Sequence, residues 1–166
     1  SLKDLQSLKD VLTAIVGRFF LQVETNPFME KVIWNYRLPR AFFGVVAGAG
    51  LAISGAVMQG VTRNPLVSPF TIGISSAAAF GASIAIILGA GFVGIGTYLI
   101  MMTAFVFALV CAVIVFGLAK LRGASPETVV LAGIALTYFF GSATALLHYF
   151  ASEEQLSAMV RWTFGT

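Results

Sequence analysis

The sequence has 166 residues, of which 58% are hydrophobic and 10% are charged, and its mean hydropathy is +0.94. A soluble domain is about one quarter charged, so this composition excludes an ordinary soluble protein and favours a membrane protein. The net charge of +3 comes from basic residues scattered over predicted loops, which excludes the basic stripe of a nucleic-acid-binding protein.

The first 31 residues combine charged side chains with apolar ones at helical spacing. This pattern predicts an amphipathic helix that lies on the membrane interface or packs on the bundle. A second short helix is predicted to begin at Asn26 and Pro27, which suit an N-cap and a first helical position. Trp34 and Tyr36 then suit the headgroup level. The polar N-terminus has no signal-peptide core and no initiator Met, so we expect a truncated chain.

Charge-free runs mark the membrane spans. Residues 64–119 contain no Asp, Glu, Lys, Arg or His, and this run has room for two spans of about 20 residues. Two further runs, 41–62 and 128–147, each have room for one more. We therefore predict an all-α polytopic protein with four transmembrane helices, near 41–60, 70–88, 97–119 and 127–150.

Small residues recur at four-residue steps in the predicted spans. Such stripes allow helix backbones to approach closely where no hydrophobic effect drives association. The candidate packing glycines are Gly44, Gly48, Gly73, Gly81, Gly133 and Gly141. They indicate a tightly packed bundle and not a pore.

Two connections carry clear local signals. Pro65 and Pro69 interrupt helical hydrogen bonding between the first two spans, which predicts a rigid turn after Arg63. The fourth span is preceded by Ser125 as a cap, with Pro126 in the first helical position and Glu127 at the positive end of the helix dipole.

Several kinds of chemistry are missing from the predicted spans. Proton coupling, haem ligation and intramembrane proteolysis need ionisable residues inside the membrane spans. His148 is the only candidate, and it lies near the end of a predicted span. The single cysteine, Cys111, is interpreted as a small buried apolar residue, so we expect no disulfide and no metal site. We also expect no cofactor and no enzymatic activity in this chain. Because the sequence has no GxxxxGK[ST] loop, ATP would have to be handled by another polypeptide.

An ordered series of motifs over about residues 30–166 resembles the FecCD family of permeases. The series reads RLPR at 37–40, GAGLAISGAVMQ at 48–59, NPL at 64–66, SP at 68–69, GISSAA at 73–78, LAGIA at 131–135 and RWTFGT at 161–166. The last motif has Thr166 where the family usually has Ser.

The resemblance implies one subunit of a prokaryotic ABC importer in the cytoplasmic (inner) membrane. Family members have ten spans, dimerise, sit on two ATPase subunits and receive substrate from an extracytoplasmic binding protein. The four spans would be the family's second to fifth, so the chain would be an N-terminal fragment that lacks the coupling helices. The implied substrate is an iron-siderophore, haem or cobalamin-type compound. A channel or secondary carrier without an ATPase is the alternative, and the gene neighbourhood would separate the two.

The resemblance also implies a topology. Residues 1–36 would form an external interfacial segment, 37–150 the transmembrane bundle, and 151–166 an external segment before the next span. Lys and Arg then number seven outside and three inside, which opposes the positive-inside rule. We follow the family plan, because the missing spans leave this count incomplete.

Functional residues are assigned through the resemblance. Arg37 and Arg40 would dock glutamates of the binding protein, although interfacial arginines that snorkel to lipid phosphate are the alternative. Residues Ser125, Pro126 and Glu127 would lie at the cytoplasmic gate, or would be a helix cap alone. Two polar residues of the fourth span, Thr137 and Ser142, would line the path.

Overall fold

A computed structural model describes residues 27–89, 96–123 and 125–165, together with single helical, exposed positions at Lys9, Leu12 and Val16. All regular structure in the described ranges is helical, as predicted. The chain consists of two compact units, Ser1–Ala52 and Ile53–Thr166. The amphipathic helix predicted before residue 26 lies outside the described residues except for those three positions.

The first unit contains a short helix, a wide turn and the start of a long helix. Helix α1 spans Pro27–Val32 and begins at the predicted proline. A π-helical turn, Ile33–Arg37, joins it to helix α2, Leu38–Thr62, and the Leu38 N–H donates to the Ile33 carbonyl. Pro39 has no N–H to donate, and its ring crowds the carbonyl four residues earlier, so a wider turn at this point relieves the clash.

The second unit is a helical bundle built around a short central helix. Helix α3, Ile74–Ile87, packs against α4, Gly96–Leu121, against α5, Pro126–Phe150, and against α6, Glu153–Phe164. Phe80 of α3 joins two neighbours, with its ring centroid 5.3 Å from that of Phe107 and 5.6 Å from that of Phe140. The buried core comprises Met58, Val67, Ile72, Ala77, Cys111, Val115, Ala119, Val129 and Phe140.

Within the described ranges, three helical stretches are long and apolar enough to cross a membrane: Ile33–Thr62, Gly96–Leu121 and Pro126–Phe150. The predicted spans near 41–60, 97–119 and 127–150 coincide with them. The span predicted at 70–88 is shorter than expected, because α3 has 14 residues and follows a 3₁₀ turn at Pro69–Ile72. At about 1.5 Å per residue, α3 covers roughly 21 Å of a hydrocarbon core about 30 Å thick.

Helix α6 is an element that we did not predict. Ser152 and Gln155 form a capping box, in which the Gln155 N–H donates to Ser152 Oγ at 3.3 Å and the Ser152 N–H donates to Gln155 Oε1 at 3.0 Å. The helix ends at Gly165 in the left-handed region. The S-x-x-Q pattern at 152–155 was the local signal for this helix.

Candidate functional site

The turn between α2 and α3 is held by its own polar side chains. Helix α2 stops where Arg63 takes a left-handed φ of 49°. The Asn64 Oδ1 accepts from the Leu66 N–H at 3.0 Å, and Gln59 Nε2 donates to the Pro65 carbonyl at 3.0 Å. These bonds satisfy two backbone groups of the turn that have no helical partner, so nearby polar side chains help to hold its shape.

The end of this turn is pressed against the middle of α5. Gly73 has a φ of 83°, and a Cβ at this position would lie 2.9 Å from the Thr137 nitrogen. A Cβ on Gly133 would lie 2.7 Å from the Ile72 Cα. Backbone therefore meets backbone here, and the contact requires glycine on both sides. On the side of α4, Cys111 Sγ donates to the Ile72 carbonyl at 3.6 Å.

The N-terminus of α5, where the resemblance places the gate, is capped as predicted. The Thr128 N–H donates to Ser125 Oγ at 3.3 Å, and Pro126 occupies the first turn beside an exposed Glu127. A cleft of about 370 Å³ lies between this terminus and the turn after α2. Its lining comprises Thr62, Asn64, Pro126, Glu127, Val130 and Leu131. Of the three candidate gate residues, Pro126 and Glu127 thus border a cleft whose opposite wall is the turn after α2, and Ser125 is not part of its lining.

The two candidate path residues on α5 have different surroundings. Thr137 Oγ1 donates to the Gly133 carbonyl at 2.9 Å, and this half-buried side chain contacts the turn at Gly73. Ser142 is exposed. Five residues separate the two positions, so they lie about 140° apart around the helix and do not share one face.

The candidate docking arginines lie in the first unit. Arg37 is the last residue of the π turn and Arg40 is the third residue of α2, and both are exposed. Continuous helical backbone therefore connects them over three residues, which is the spacing of side chains on neighbouring helical turns.

The six candidate packing glycines fall into two sets. Gly81 resembles Gly73 and Gly133, because a Cβ on it would lie 2.7 Å from the Thr103 carbonyl oxygen of α4. At the other three, no described atom lies within 4 Å of where a Cβ would be: Gly44, Gly48 and Gly141. The close backbone approaches thus lie between α3 and α4 and between the turn and α5.

Sequence reasoning missed a second cavity, of about 460 Å³, at the end of the bundle formed by α3 and α6. Gln155 Nε2 donates to the Ile87 carbonyl at 3.2 Å, so the capping residue of α6 also satisfies the C-terminal end of α3. Glu153, Glu154 and Arg161 line this cavity. Over the described ranges, no three or more His, Cys, Asp and Glu side chains come close enough to hold a metal ion.

Comparison with known proteins gives one family. The model of the FecCD transport family matches residues 3–166. A Methanocaldococcus jannaschii protein named as an ABC transporter permease is 50% identical over 146 residues, which cover 82% of this chain and 42% of that protein. A permease of the molybdate import system of Haemophilus influenzae is 35% identical, over 94% of this chain and 51% of the relative. A cobalamin import permease of Halobacterium salinarum is 40% identical, over 88% of this chain and 38% of the relative.

A solved structure shares the fold. It is described as a metal-chelate type ABC transporter in an inward-facing conformation, and it matches with a TM-score of 0.72 at 35% sequence identity. The match covers 97% of this chain and 50% of the solved one. The chain therefore spans about half the length of the proteins that it resembles.

Proposed function

The chain belongs to the FecCD transport family and is a multi-pass protein of the cytoplasmic membrane, and from this premise we propose that it forms part of the permease subunit of a binding-protein-dependent ABC importer. The observation that carries the proposal is the family match over residues 3–166. The substrate is a metal chelate of the iron-siderophore, haem or cobalamin type. Relatives named for cobalamin, hemin and molybdate import support a metal-containing substrate class.

The subunit works with other chains. The full-length permease pairs with a second permease subunit, two ATPase subunits and an extracytoplasmic binding protein. In this proposal ATP is bound and hydrolysed on the ATPase chains, and residues 1–166 contain no GxxxxGK[ST] phosphate-binding loop. The role of this chain is transport and not catalysis. A channel or secondary carrier would need no ATPase, and no observation favours that alternative.

In this proposal Arg37 and Arg40 dock the binding protein. Both side chains are exposed and three residues apart. A guanidinium group can hold a carboxylate through two parallel hydrogen bonds, which fixes orientation as well as adding attraction. Each subunit of a permease dimer would then offer one pair of anchors to one lobe of a two-lobed partner.

The gate and the path belong to α5. Pro126 and Glu127 border the cleft of about 370 Å³ beside the turn after α2, and Ser125 caps the helix immediately before them. A shift of the N-terminal end of α5 would therefore change the width of the cleft. Thr137 keeps its hydroxyl bonded to its own helix and Ser142 adds one exposed hydroxyl. A path with so few polar groups offers the substrate few hydrogen bonds, so it binds the substrate weakly. Weak binding lets the permease pass on a substrate that the external protein has bound tightly.

The proposal is tested by reconstituting the full-length permease with its ATPase into proteoliposomes, with the binding protein and a ferric siderophore, hemin or cobalamin on the external side. We expect uptake that requires both ATP and the binding protein. Uptake without ATP would support the channel or carrier and would overturn the proposal. Cysteine introduced as Ser125→Cys should block uptake when it is cross-linked across the dimer. Full uptake after complete cross-linking would reduce the gate assignment to a helix cap.

A further inference from the structure

The hydroxyl groups of the exposed Tyr and Ser side chains of α5 share one strip of its surface. Tyr138, Ser142 and Tyr149 are exposed, and the steps between them are four and seven residues. At about 100° per residue, all three lie within about 40° of one another around the helix. Leu131 and Ala145, each seven residues from Tyr138, are exposed and continue the same line. We call these five residues the tyrosine strip.

The tyrosine strip lies opposite the side of α5 that packs in the bundle. The buried residues of this helix are Val129, Gly133 and Phe140, which lie about 180° around the helix from the strip. The exposed surface beside the strip is apolar and is formed by Phe139, Leu146 and Phe150. The exposed half of α5 is therefore divided into a strip that carries hydroxyl groups and a side that carries none.

Two hydroxyl groups of the strip lie deep in the span without a hydrogen-bond partner. Tyr138 is the central residue of α5, roughly 18 Å from either end, and Ser142 lies one turn further on. Neither hydroxyl bonds to a residue that the structure describes, whereas those of Thr137 and Thr144 donate to carbonyls of their own helix. Tyrosine in membrane spans is enriched at the interface, where water satisfies its hydroxyl. Lipid around the strip would leave both hydroxyl groups unsatisfied.

One end of the strip opens into the cleft beside the turn after α2. Leu131 belongs to the strip and also lines this cleft of about 370 Å³, together with Glu127 one turn earlier. The Glu127 side chain is exposed, and its carboxyl group requires water. Tyr149, at the other end of the strip, lies in the last turn of α5. An aqueous path would continue the cleft along the strip, whereas a partner helix packed on the strip would close the cleft over this carboxyl group.

We infer that the tyrosine strip lines an aqueous path through the membrane, and that Tyr138 and Ser142 offer hydrogen bonds to the substrate halfway across. The inference rests on the proposed function for the identity of the substrate, and it adds Tyr138 and Tyr149 to the residues of the path. A metal chelate presents apolar or conjugated surface next to polar ligand groups. The ring of a tyrosine contacts the first and its hydroxyl the second. Water satisfies the two hydroxyl groups when no substrate is present.

Thiol labelling of the full-length permease in membrane vesicles tests the aqueous path. Tyr138→Cys is compared with Phe139→Cys, because the two positions are equally deep and are 73% and 63% exposed among the described residues. The native cysteines are replaced, and a charged, water-soluble methanethiosulfonate is added on both sides, with and without ATP and the binding protein. The reagent attacks a thiolate, which forms in water and not in hydrocarbon, so position 138 should react at least about tenfold faster than position 139.

The labelling result separates this inference from the proposed function, because it does not require transport. Absence of reaction at position 138 in every condition would overturn the inference, since lipid or protein would then cover the strip. Equal reaction at both positions would also overturn it, since water would then reach the apolar side as well. ATP-dependent uptake by the unaltered permease would in either case still support the proposed function.

Uptake of the chelate that the permease moves, chosen from a ferric siderophore, hemin and cobalamin, tests the contact with substrate. Tyr138→Phe removes only the hydroxyl and should slow uptake at saturating binding protein by about two- to tenfold, which is the effect of one hydrogen bond. Phe139→Leu, on the apolar side, should leave the rate unchanged. An unchanged rate in Tyr138→Phe would show that this hydroxyl does not bind the substrate.

Discussion

Glycine matters in this chain wherever another backbone lies closer than a Cβ would allow. A Cβ added to Gly133 would lie 2.7 Å from the Ile72 Cα. A Cβ added to Gly81 would lie 2.7 Å from the Thr103 carbonyl oxygen. The space beside Gly141, on the same helix as Gly133, is open. The two positions on α5 therefore form a matched pair, in which the same substitution has opposite consequences.

We predict that Gly133→Ala destabilises the protein by about 1–3 kcal/mol, because the added methyl group must displace the backbone of the 3₁₀ turn. Gly141→Ala should be neutral or stabilising by up to about 1 kcal/mol, since alanine favours a helix over glycine. Thermal unfolding midpoints of the full-length protein in detergent measure the difference. Equal midpoints for the two variants would show that the turn does not rest against α5.

The arginine pair supplies a second prediction at the scale of single residues. Changing Arg37 and Arg40 to Glu should weaken binding of the cognate binding protein by at least about tenfold, because attraction to acidic groups becomes repulsion. Exposed ion pairs contribute only about 0–1 kcal/mol each, so the effect should be largest at low salt, where screening is weakest. Binding is measured on the full-length permease in nanodiscs.

Lys31→Glu provides the control for the docking prediction. Lys31 is an exposed residue of α1 in the same unit, outside the RLPR motif. Its reversal should change affinity little. Lys31→Glu could instead weaken binding as much per reversed charge as the double arginine variant does. The arginines would then act through the overall electrostatic potential of the surface and not as specific docking anchors.

At the scale of helices, α6 shows how a local signal becomes a tertiary contact. The Ser152 and Gln155 side chains cap the helix, and the same Gln155 amide donates to the Ile87 carbonyl at the end of α3. A short polar helix is marginal by itself, because nucleation is costly and few hydrogen bonds follow. The capping box and the bond to α3 together therefore fix where α6 begins and what it touches.

We predict that Gln155→Ala loosens α6 more than Ser157→Ala does. The first change removes a reciprocal cap and leaves the Ile87 carbonyl without its partner, at a cost of about 1–3 kcal/mol. Ser157 only accepts an exposed bond from Arg161 and should contribute less than about 1 kcal/mol. Hydrogen exchange of the α6 amides measures the local opening. Similar exchange in the two variants would mean that Gln155 does not anchor the helix.

For the whole molecule, the orientation of the bundle follows from the charges at its two ends. Counting every Lys and Arg places seven on the side that the family plan makes external and three on the other. Six of those seven precede residue 41 and lie in the first unit. The second unit alone has three basic residues at the end that carries the turn after α2 and one at the opposite end, which agrees with the family plan.

We therefore predict that the connection from α4 to α5 is cytoplasmic and that the start of α6 is external. Single cysteines, Lys120→Cys or Glu153→Cys, are placed in a full-length protein whose own cysteines, including the buried Cys111, are replaced. A membrane-impermeant maleimide should label the cysteine at 153 in right-side-out vesicles and the cysteine at 120 only in inverted ones. The reverse labelling pattern would show that the topology is inverted, as the count of all Lys and Arg residues by itself suggests.

The sequence by itself determined the features that depend on short-range physical signals. Charge-free runs located the three long membrane helices, because charged side chains are costly in hydrocarbon. Ser125 and Pro126 marked the start of α5, because capping involves residues three apart. The ordered motifs identified the FecCD family, and the family match agrees with them. The capping box of α6 was equally local and was overlooked.

Only the tertiary structure decided the features that depend on which backbones meet. Six glycines had the same periodic setting in the sequence, but within the part of the chain that the structure describes only three of them lie close to another backbone: Gly73, Gly81 and Gly133. The apolar run at 70–88 looked long enough for a full span, and α3 is short because the left-handed Gly73 ends the turn that seats on α5. The bond from Gln155 to Ile87 joins residues 68 positions apart. Contacts between distant segments produce no periodic pattern in the sequence. Only the packing of the folded chain therefore distinguishes the residues that make these contacts from similar residues that do not.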